Sequence, residues 1–163
     1  MADAPEARIS SEPLHFWALA SIRLLHHRRS AWRLVLRPGA LAKLRRLFQQ
    51  HSFWAANRSC AELRQMLRGS DVAVTAWHGS QLVGFGRATS DGIYRAVLWD
   101  VVVDGAYQGR GLGRQIVEGL LERPCLRRVE RVYLMTTNSS GFYQQLGFDQ
   151  IESQLLMMKQ TSG

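Results

Sequence analysis

Residues 101–113 decide the fold of this chain, and they read Val101-Val102-Val103-Asp104-Gly105-Ala106-Tyr107-Gln108-Gly109-Arg110-Gly111-Leu112-Gly113. The valines end a run from Ala96 that is rich in β-branched and aromatic residues, which is typical of a central strand. After the last glycine, apolar residues recur at helical spacing from Ile116 to Leu121. The stretch therefore predicts a buried strand that enters a helix through a glycine turn.

The glycine turn has the features of an anion site. Glycine has no Cβ, so the backbone N–H groups around Gly109, Gly111 and Gly113 can approach a ligand closely. The helix that follows adds unpaired N–H donors and a partial positive charge at its N-terminus, which suits phosphate. The Walker pattern and the dinucleotide fingerprint are both absent, because no Gly-Lys-Ser/Thr follows and the glycines recur at intervals of two. A flexible strand-to-helix loop is the alternative.

The elements around this turn predict a mixed α/β single domain. We expect residues 1–30 to be an N-terminal extension and residues 31–163 to be the domain. The expected elements are a first strand at Trp32–Leu36, a helix from Leu41 to Gln50, a second helix from Ser59 to Gly69, a hairpin of Val72–Trp77 with Leu82–Gly86, the strand Ala96–Val103, the helix that Pro124 ends, a strand at Val129–Met135, a short helix at Ser139–Leu146, and a final strand or pair within Phe148–Met158.

Composition narrows the class of protein. The chain has 163 residues, of which 46% are hydrophobic and 21% charged, which is ordinary for a globular domain. It carries 21 Lys+Arg against 13 Asp+Glu, a formal charge of +8, so an anionic ligand, nucleic acid or an anionic membrane surface all fit. No apolar run is long enough to span a bilayer, no signal peptide is expected, and two cysteines fit a reducing compartment. We therefore expect a soluble cytoplasmic protein.

Residues 14–29 mix aromatic, aliphatic and basic side chains and allow two interpretations. One is an interfacial helix that makes peripheral contact with an anionic membrane or docks on a partner. The other is a helix or strand laid across the core, which the weak amphipathic pattern favours.

Two blocks of sequence resemble the GNAT acyltransferase superfamily. Gln108–Gly113 matches its Q/R-x-x-G-x-G/A acetyl-CoA motif, and Asn138–Phe148 is similar to its later Asn…Leu-Tyr-x-x-Leu-Gly-Phe block. The stretches Arg87–Gly92 and Trp99–Asp104 resemble the cyanobacterial and plant-plastid branch, which includes serotonin (arylalkylamine) N-acetyltransferases and plastid protein acetyltransferases. Without a transit peptide, a bacterial member is expected.

The resemblance implies the GNAT fold, with a mixed and mostly antiparallel central sheet flanked by helices. It also implies direct transfer of an acetyl group from acetyl-CoA to an amine, with the pantetheine arm alongside the strand and the pyrophosphate on the turn. The residues it implies as cofactor contacts are Val101, Val102, Val103, Gln108, Gly109, Arg110, Gly111, Leu112, Gly113, Arg114, Asn138 and Tyr143.

The resemblance also suggests catalytic residues. Tyr143 aligns with the tyrosine that protonates the departing CoA thiolate, although a tyrosine packed in the core is the alternative. Asn138 either contacts the cofactor or caps the helix after it. Asp100 is the candidate base for the incoming ammonium. A purely local hydrogen bond for Asp100 and a water chain without a single base both stay open.

The acceptor amine is the part of the function that the sequence determines least. Phe53 and Trp54 occupy a segment that often forms one wall of the acceptor pocket in this family, and packing under the loop is the alternative. Arylalkylamines, protein N-termini and lysine side chains all fit. No Cys or Glu lies at metal-ligand spacing from the histidines, so no metal site is expected. The competing function is a non-catalytic module of the same fold that docks on a membrane, nucleic acid or protein partner, and a homodimer stays open. No basic run interleaved with aromatic residues follows residue 54, which argues against nucleic acid.

Overall fold

The computed structural model describes residues 21–28 and 38–160. The chain divides into two compact units, one ending at Tyr133 and the other beginning at Leu134. Among the described residues, no helix is both long and apolar enough to cross a bilayer.

The first unit is built on a five-stranded sheet with helices packed against it. The strands are β1 (Ile22–Arg28), β2 (Val72–His78), β3 (Gln81–Ser90), β4 (Arg95–Val103) and β5 (Arg131–Tyr133), and the helices are α1 (Ala40–His51), α2 (Cys60–Arg68), α3 (Leu112–Leu121) and α4 (Pro124–Arg127). The strand order is β1-β2-β3-β4-β5, with antiparallel pairs except for the parallel pair of β4 and β5. The mixed, mostly antiparallel sheet flanked by helices is therefore confirmed.

Local sequence signals explain the bounds of α2. The Ser59 hydroxyl accepts a hydrogen bond from the Glu62 N–H at 3.2 Å, and the Glu62 carboxylate accepts one from the Ser59 N–H at 2.6 Å. This capping box satisfies two N–H groups at the helix start. Gly69 is the C-cap, as the sequence predicts.

The two faces of the sheet are covered by different helices. On one face α1 packs on β3 and β4, and α2 packs against α1. The rings of Phe48 and Phe85 meet edge to face there at 5.5 Å. On the other face α3 lies directly on β3, because Gly84 and Gly86 leave room for Ile116. A Cβ at either glycine would lie 2.7 Å from an Ile116 side-chain carbon. This close approach positions α3 after β4 and hence positions the turn between them.

A β-bulge interrupts the pairing of β3 with β4. Arg87 pairs with Trp99 and Phe85 with Val102, so Asp100 and Val101 together oppose Gly86. Asp100 has a φ of 51° and is the one non-glycine residue with positive φ in the described chain. The bulge therefore includes Val101, the first of the three valines that precede the glycine turn.

Several predicted elements need correction. Within residues 14–29, the described residues Ile22–Arg28 form a strand of the sheet, which agrees with the favoured interpretation of this segment and not with an interfacial helix. This strand lies inside the predicted extension of residues 1–30, yet it pairs with β2 in the sheet. The strand expected at Trp32–Leu36 lies outside the described residues. Pro124 begins α4, since proline suits the first helical position, and α3 already ends at Leu121. The strand β5 spans only Arg131–Tyr133.

The second unit contains one short helix, α5 (Ser140–Gln144), among its described residues. Gly147 follows it with a φ of 83°, in agreement with the predicted helix stop. The final strand predicted within Phe148–Met158 is wrong. Residues 149–160 form no helix or strand, and the side chains from Leu155 to Met158 are exposed, so an apolar run here has no strand partner within the described chain.

Candidate active site

The turn between β4 and α3 presents main-chain N–H groups, and few protein acceptors near it compete with a ligand for them. Gly109 and Gly111 have φ of 70° and 79°, and α3 begins at Leu112 directly after Gly111. The N-cap of α3, Gly111, has no side chain to cap the helix, and the first turn of α3 contains no acidic residue. The first N–H groups of a helix lack intrahelical partners, so this end of α3 can donate to an anion.

The space at the turn is open. A Cβ at Gly109 or Gly111 would meet no atom within 4 Å in the part of the chain that the structure describes. The backbone before the turn is held by side chains: the Gln108 amide donates to the Val103 carbonyl at 2.9 Å, and the Asp104 carboxylate accepts from the Ala106 N–H at 3.0 Å. The glycines are therefore required for backbone conformation and leave the approach to the N–H groups clear.

The strand before the turn has an edge that β5 covers in part. Among the described residues, β5 pairs with β4 only along Arg95–Val97. On the other edge the Asp104 N–H donates to the Val83 carbonyl at 2.9 Å, and strand alternation then directs the main chain of Val102 toward β3 as well. The main chain of Val103 faces away from β3. Its carbonyl already accepts from the Gln108 amide, and its N–H faces the side on which an extended ligand arm can pair.

Asp100 is enclosed by three donors, one from β3 and two from the loop between α1 and α2. Its Oδ2 accepts from Nε of Arg87 at 2.6 Å, and its Oδ1 accepts from Nη1 of Arg58 at 3.1 Å and from Nε1 of Trp54 at 3.4 Å. The Asp100 side chain is only 5% exposed. The structure thus shows the local hydrogen bonds that were one of the open alternatives for this residue.

The predicted acceptor wall meets this carboxylate. Phe53 is 76% exposed and Trp54 is 50% exposed, and their rings meet edge to face at 5.0 Å. Because Trp54 also donates to Asp100, the loop between α1 and α2 lies at the bulge of β4. Sequence reasoning missed Arg58 and Arg87. Their residue types carry no signal, since 19 arginines occur and only the fold shows which of them meet Asp100.

The other two predicted residues, Asn138 and Tyr143, lie in the second unit. Tyr143 is partly buried on α5 and contacts the rings of Phe142 and Phe148 at 4.9 Å and 5.9 Å between centroids. Burial raises the pKa of the Tyr143 phenol above its ordinary value of 10.0, because the phenolate would lose hydration. Asn138 is exposed and accepts from the Ser139 hydroxyl at 3.3 Å, while the N-cap of α5 is Ser139.

Ligands for a metal do not come together in the part of the chain that the structure describes, where no group of three or more His, Cys, Asp or Glu side chains could hold an ion. The cationic side chains of the turn, Arg110 and Arg114, both make contacts of their own. Anion binding at the turn would therefore rest first on main-chain N–H groups.

Comparison with known proteins places this geometry in one family. Residues 41–148 match the family model described as "Acetyltransferase (GNAT) family". The match includes α1 and α2, the bulge, the glycine turn and the Tyr143 block.

Relatives and solved structures agree with that match. The chain is 39% identical over 127 residues to GCN5-related N-acetyltransferase 1, chloroplastic, of Arabidopsis thaliana, covering 71% of this chain and 64% of the relative. It is 38% identical over 91 residues to Serotonin N-acetyltransferase 2, chloroplastic, of Oryza sativa subsp. japonica, covering 53% of this chain and 46% of the relative. Both matches span less than two thirds of the relative. A GNAT family acetyltransferase of Streptococcus pneumoniae TIGR4 shares the fold, with a TM-score of 0.68, 22% identity and coverage of 87% of this chain and 99% of that one.

Proposed function

The chain belongs to the GNAT family of acetyltransferases, and on that premise we propose that it transfers the acetyl group of acetyl-CoA directly to a primary amine. The observation that carries the proposal is the N-terminus of α3, whose N-cap is a glycine without a capping side chain and which is reached through Gly109 and Gly111. It follows β4, whose edge β5 covers only along Arg95–Val97 within the described chain. A diphosphate and an extended arm need these two features side by side.

The cofactor half of the site would use main-chain groups. The N–H groups from Gln108 to Gly113 would donate to the pyrophosphate of acetyl-CoA, and Arg110 and Arg114 would add charge beside it. Main-chain groups of Val101–Val103 that face away from β3 would pair with the pantetheine arm. This arrangement would bring the thioester carbonyl to the bulge of β4.

The chemistry requires two proton movements. The amine nitrogen attacks the thioester carbonyl carbon, the new N–C bond forms, the C–S bond breaks, and the sulfur leaves as a thiolate. The nitrogen must lose a proton, and the thiolate must gain one. We assign protonation of the thiolate to Tyr143, because its sequence block resembles the family block that carries the proton-donating tyrosine. Burial raises the pKa of this phenol, so it holds the proton that it would donate. Asn138 is retained as a proposed cofactor contact.

Two routes for the amine proton follow from the sequence, the Asp100 carboxylate or a water chain. Both oxygens of Asp100 already accept from arginine side chains, and the carboxylate is almost completely buried. These contacts favour transfer of the amine proton through a chain of water molecules, with Asp100 close to that chain.

The acceptor half would be lined by Phe53 and Trp54. Two exposed rings set edge to face offer a wall for the aryl group of an arylalkylamine or for the first side chain of a peptide. The name of the rice relative supports an arylalkylamine, and we propose arylalkylamines and the amines of proteins, at lysine or the N-terminus, as the classes of acceptor.

The test is product profiling by mass spectrometry after incubation of the protein and acetyl-CoA with serotonin, tryptamine and peptide libraries. We expect an acetylated amine that requires acetyl-CoA, and Phe53→Ala should raise the acceptor KM about 10-fold by removing an aromatic contact. Tyr94→Ala is the matched control, since Tyr94 is a comparably exposed aromatic residue on a different loop. Absence of every product, together with no heat of acetyl-CoA binding in calorimetry, would refute the proposal.

A further inference from the structure

We infer that Asp100 is a positioning residue, which fastens the loop carrying Phe53 and Trp54 to the bulge of β4 and thereby shapes the acceptor half of the site. The inference deepens the proposed function and rests on it for its kinetic consequences. Its structural part stands on contacts within the first unit alone.

The contacts of Asp100 join its own strand, β4, to two other parts of the chain, β3 and the loop between α1 and α2. Arg87 belongs to β3, Arg58 precedes the capping residue of α2, and Trp54 lies in the loop after α1. Residues 52–59 are thus tied to the sheet at both Trp54 and Arg58. The guanidinium of Arg58 also lies over the Phe48 ring at 5.6 Å, so the carboxylate links the loop to the core as well.

The backbone at Asp100 points to a role for its side chain. With a φ of 51°, the first residue of this bulge adopts a left-handed conformation that glycine occupies most easily. An aspartate at this position strains the backbone, while its carboxylate binds three donors. The side-chain contacts therefore compensate for a conformation that glycine would adopt without strain.

The charge around Asp100 and the limited access to its carboxylate favour a positioning role over proton transfer. The carboxylate lies between two guanidinium groups whose side chains are 32% and 14% exposed, for Arg58 and Arg87, so the cluster carries a net charge of +1. A cationic ammonium gains little by approaching such a cluster, and it would have to displace existing donors to reach the carboxylate. Loss of Asp100 would release the loop and leave the two guanidinium groups without their shared partner.

The decisive substitution is Asp100→Gly, which removes the carboxylate and suits the backbone conformation, so that the bulge is retained. We expect the acceptor KM to rise about 10-fold and the KM for acetyl-CoA to change less than about 2-fold, because the loss lies on the acceptor side. The acid limb of the pH profile of kcat should keep its position. Asp100→Asn retains an oxygen that can accept from Arg58 and Trp54, and it should recover part of the loss.

A double-mutant cycle tests whether Asp100 acts through its partners. If the loop is held through this contact, Arg58→Gln combined with Asp100→Gly should raise the acceptor KM no further than Asp100→Gly alone. Glu130→Gln is the matched control. It removes a carboxylate that pairs with an arginine, Arg95, at 3.0 Å in an exposed pair away from the loop, and it should leave both KM values unchanged.

A second readout does not require activity. Acrylamide quenching of Trp54 fluorescence, obtained as the difference between each protein and its Trp54→Phe version, should increase in Asp100→Gly and stay the same in Glu130→Gln. Unchanged quenching of Trp54 overturns the inference, and so does a fall in kcat of about 100-fold with loss of the acid limb, which would make Asp100 the base. If the wild-type protein acetylates no amine, the proposed function fails, and the quenching result alone decides whether Asp100 holds the loop.

Discussion

A pair of substitutions at Gly111 tests the anion site with its own internal control. Gly111 is the N-cap of α3 and has a φ of 79° and a ψ of 1°. A Cβ there would meet no atom of the described residues within 4 Å, so a new side chain strains the backbone without a clash at its Cβ. Asparagine and aspartate have nearly the same size and tolerate the left-handed conformation better than other residues. Gly111→Asn and Gly111→Asp therefore differ chiefly in one negative charge.

The two variants should separate stability from affinity. Each loses about 1 to 2 kcal/mol of unfolding free energy from the left-handed backbone, which lowers the Tm by about 2 to 4 °C per kcal/mol in a chain of this size. The aspartate recovers about 0.3 to 1 kcal/mol of that loss, because a negative charge is favourable at a helix N-terminus. The same charge about 5 Å from a bound diphosphate costs about 0.8 kcal/mol at the dielectric constant of water and about 3 kcal/mol at an effective value near 20.

Calorimetric titration with acetyl-CoA and thermal denaturation of both variants provide the measurements. We expect Gly111→Asp to be at least as stable as Gly111→Asn and to bind acetyl-CoA between about 4-fold and about 150-fold more weakly, with the difference shrinking at high salt. Equal affinities of the two variants would refute the assignment of the diphosphate to this turn, because the charge would then lie away from the ligand.

Three further outcomes are expected. Tyr143→Phe should lower turnover and leave the affinity for acetyl-CoA unchanged. Because the pKa of the phenol is raised in the folded protein, the stability that this group contributes is present below about pH 10 and is lost as the pH rises above that value. This loss of stability at high pH should vanish in Tyr143→Phe. Gly84→Ala should cost about 1 to 3 kcal/mol in denaturant unfolding, and Ile116→Val should relieve part of it by removing the Cδ1 atom 2.7 Å from the new Cβ; additive effects would contradict the contact. Ser59→Ala should cost about 0.5 to 2 kcal/mol through loss of the helix cap, and an unchanged denaturation midpoint would show that the cap contributes nothing.

Local signals predicted much of the first unit. The capping box at Ser59 and the glycine stop at Gly69 predicted the bounds of α2, and hairpin and strand patterns predicted β2, β3 and β4. These elements follow from interactions between residues a few positions apart. Periodicity failed after Phe148, because an apolar run indicates a strand only when a partner strand is available.

The Asp100 cluster shows why the acceptor side was harder to predict. Trp54 and Arg58 are 46 and 42 residues from Asp100, and Arg87 is 13 residues away across a bulge. The bulge shifts the register by one residue, and no residue type in this stretch signals it, since a glycine would be the ordinary occupant of its first position. The sequence named Asp100 and the two aromatic residues as candidates but could not show that they touch.

By itself, the sequence determined the glycine turn and the family, because a strand, three alternating glycines and a helix form a contiguous segment whose chemistry lies in its own backbone. Only the tertiary structure showed that β1 pairs in the sheet and that α3 packs closely on Gly84 and Gly86. It also showed that Asp100 accepts hydrogen bonds from two arginines and a tryptophan. The physical reason is that these contacts join residues distant in the chain. The free energy of these contacts depends on which surfaces the fold brings together, and the spacing of residues along the sequence does not predict which surfaces meet.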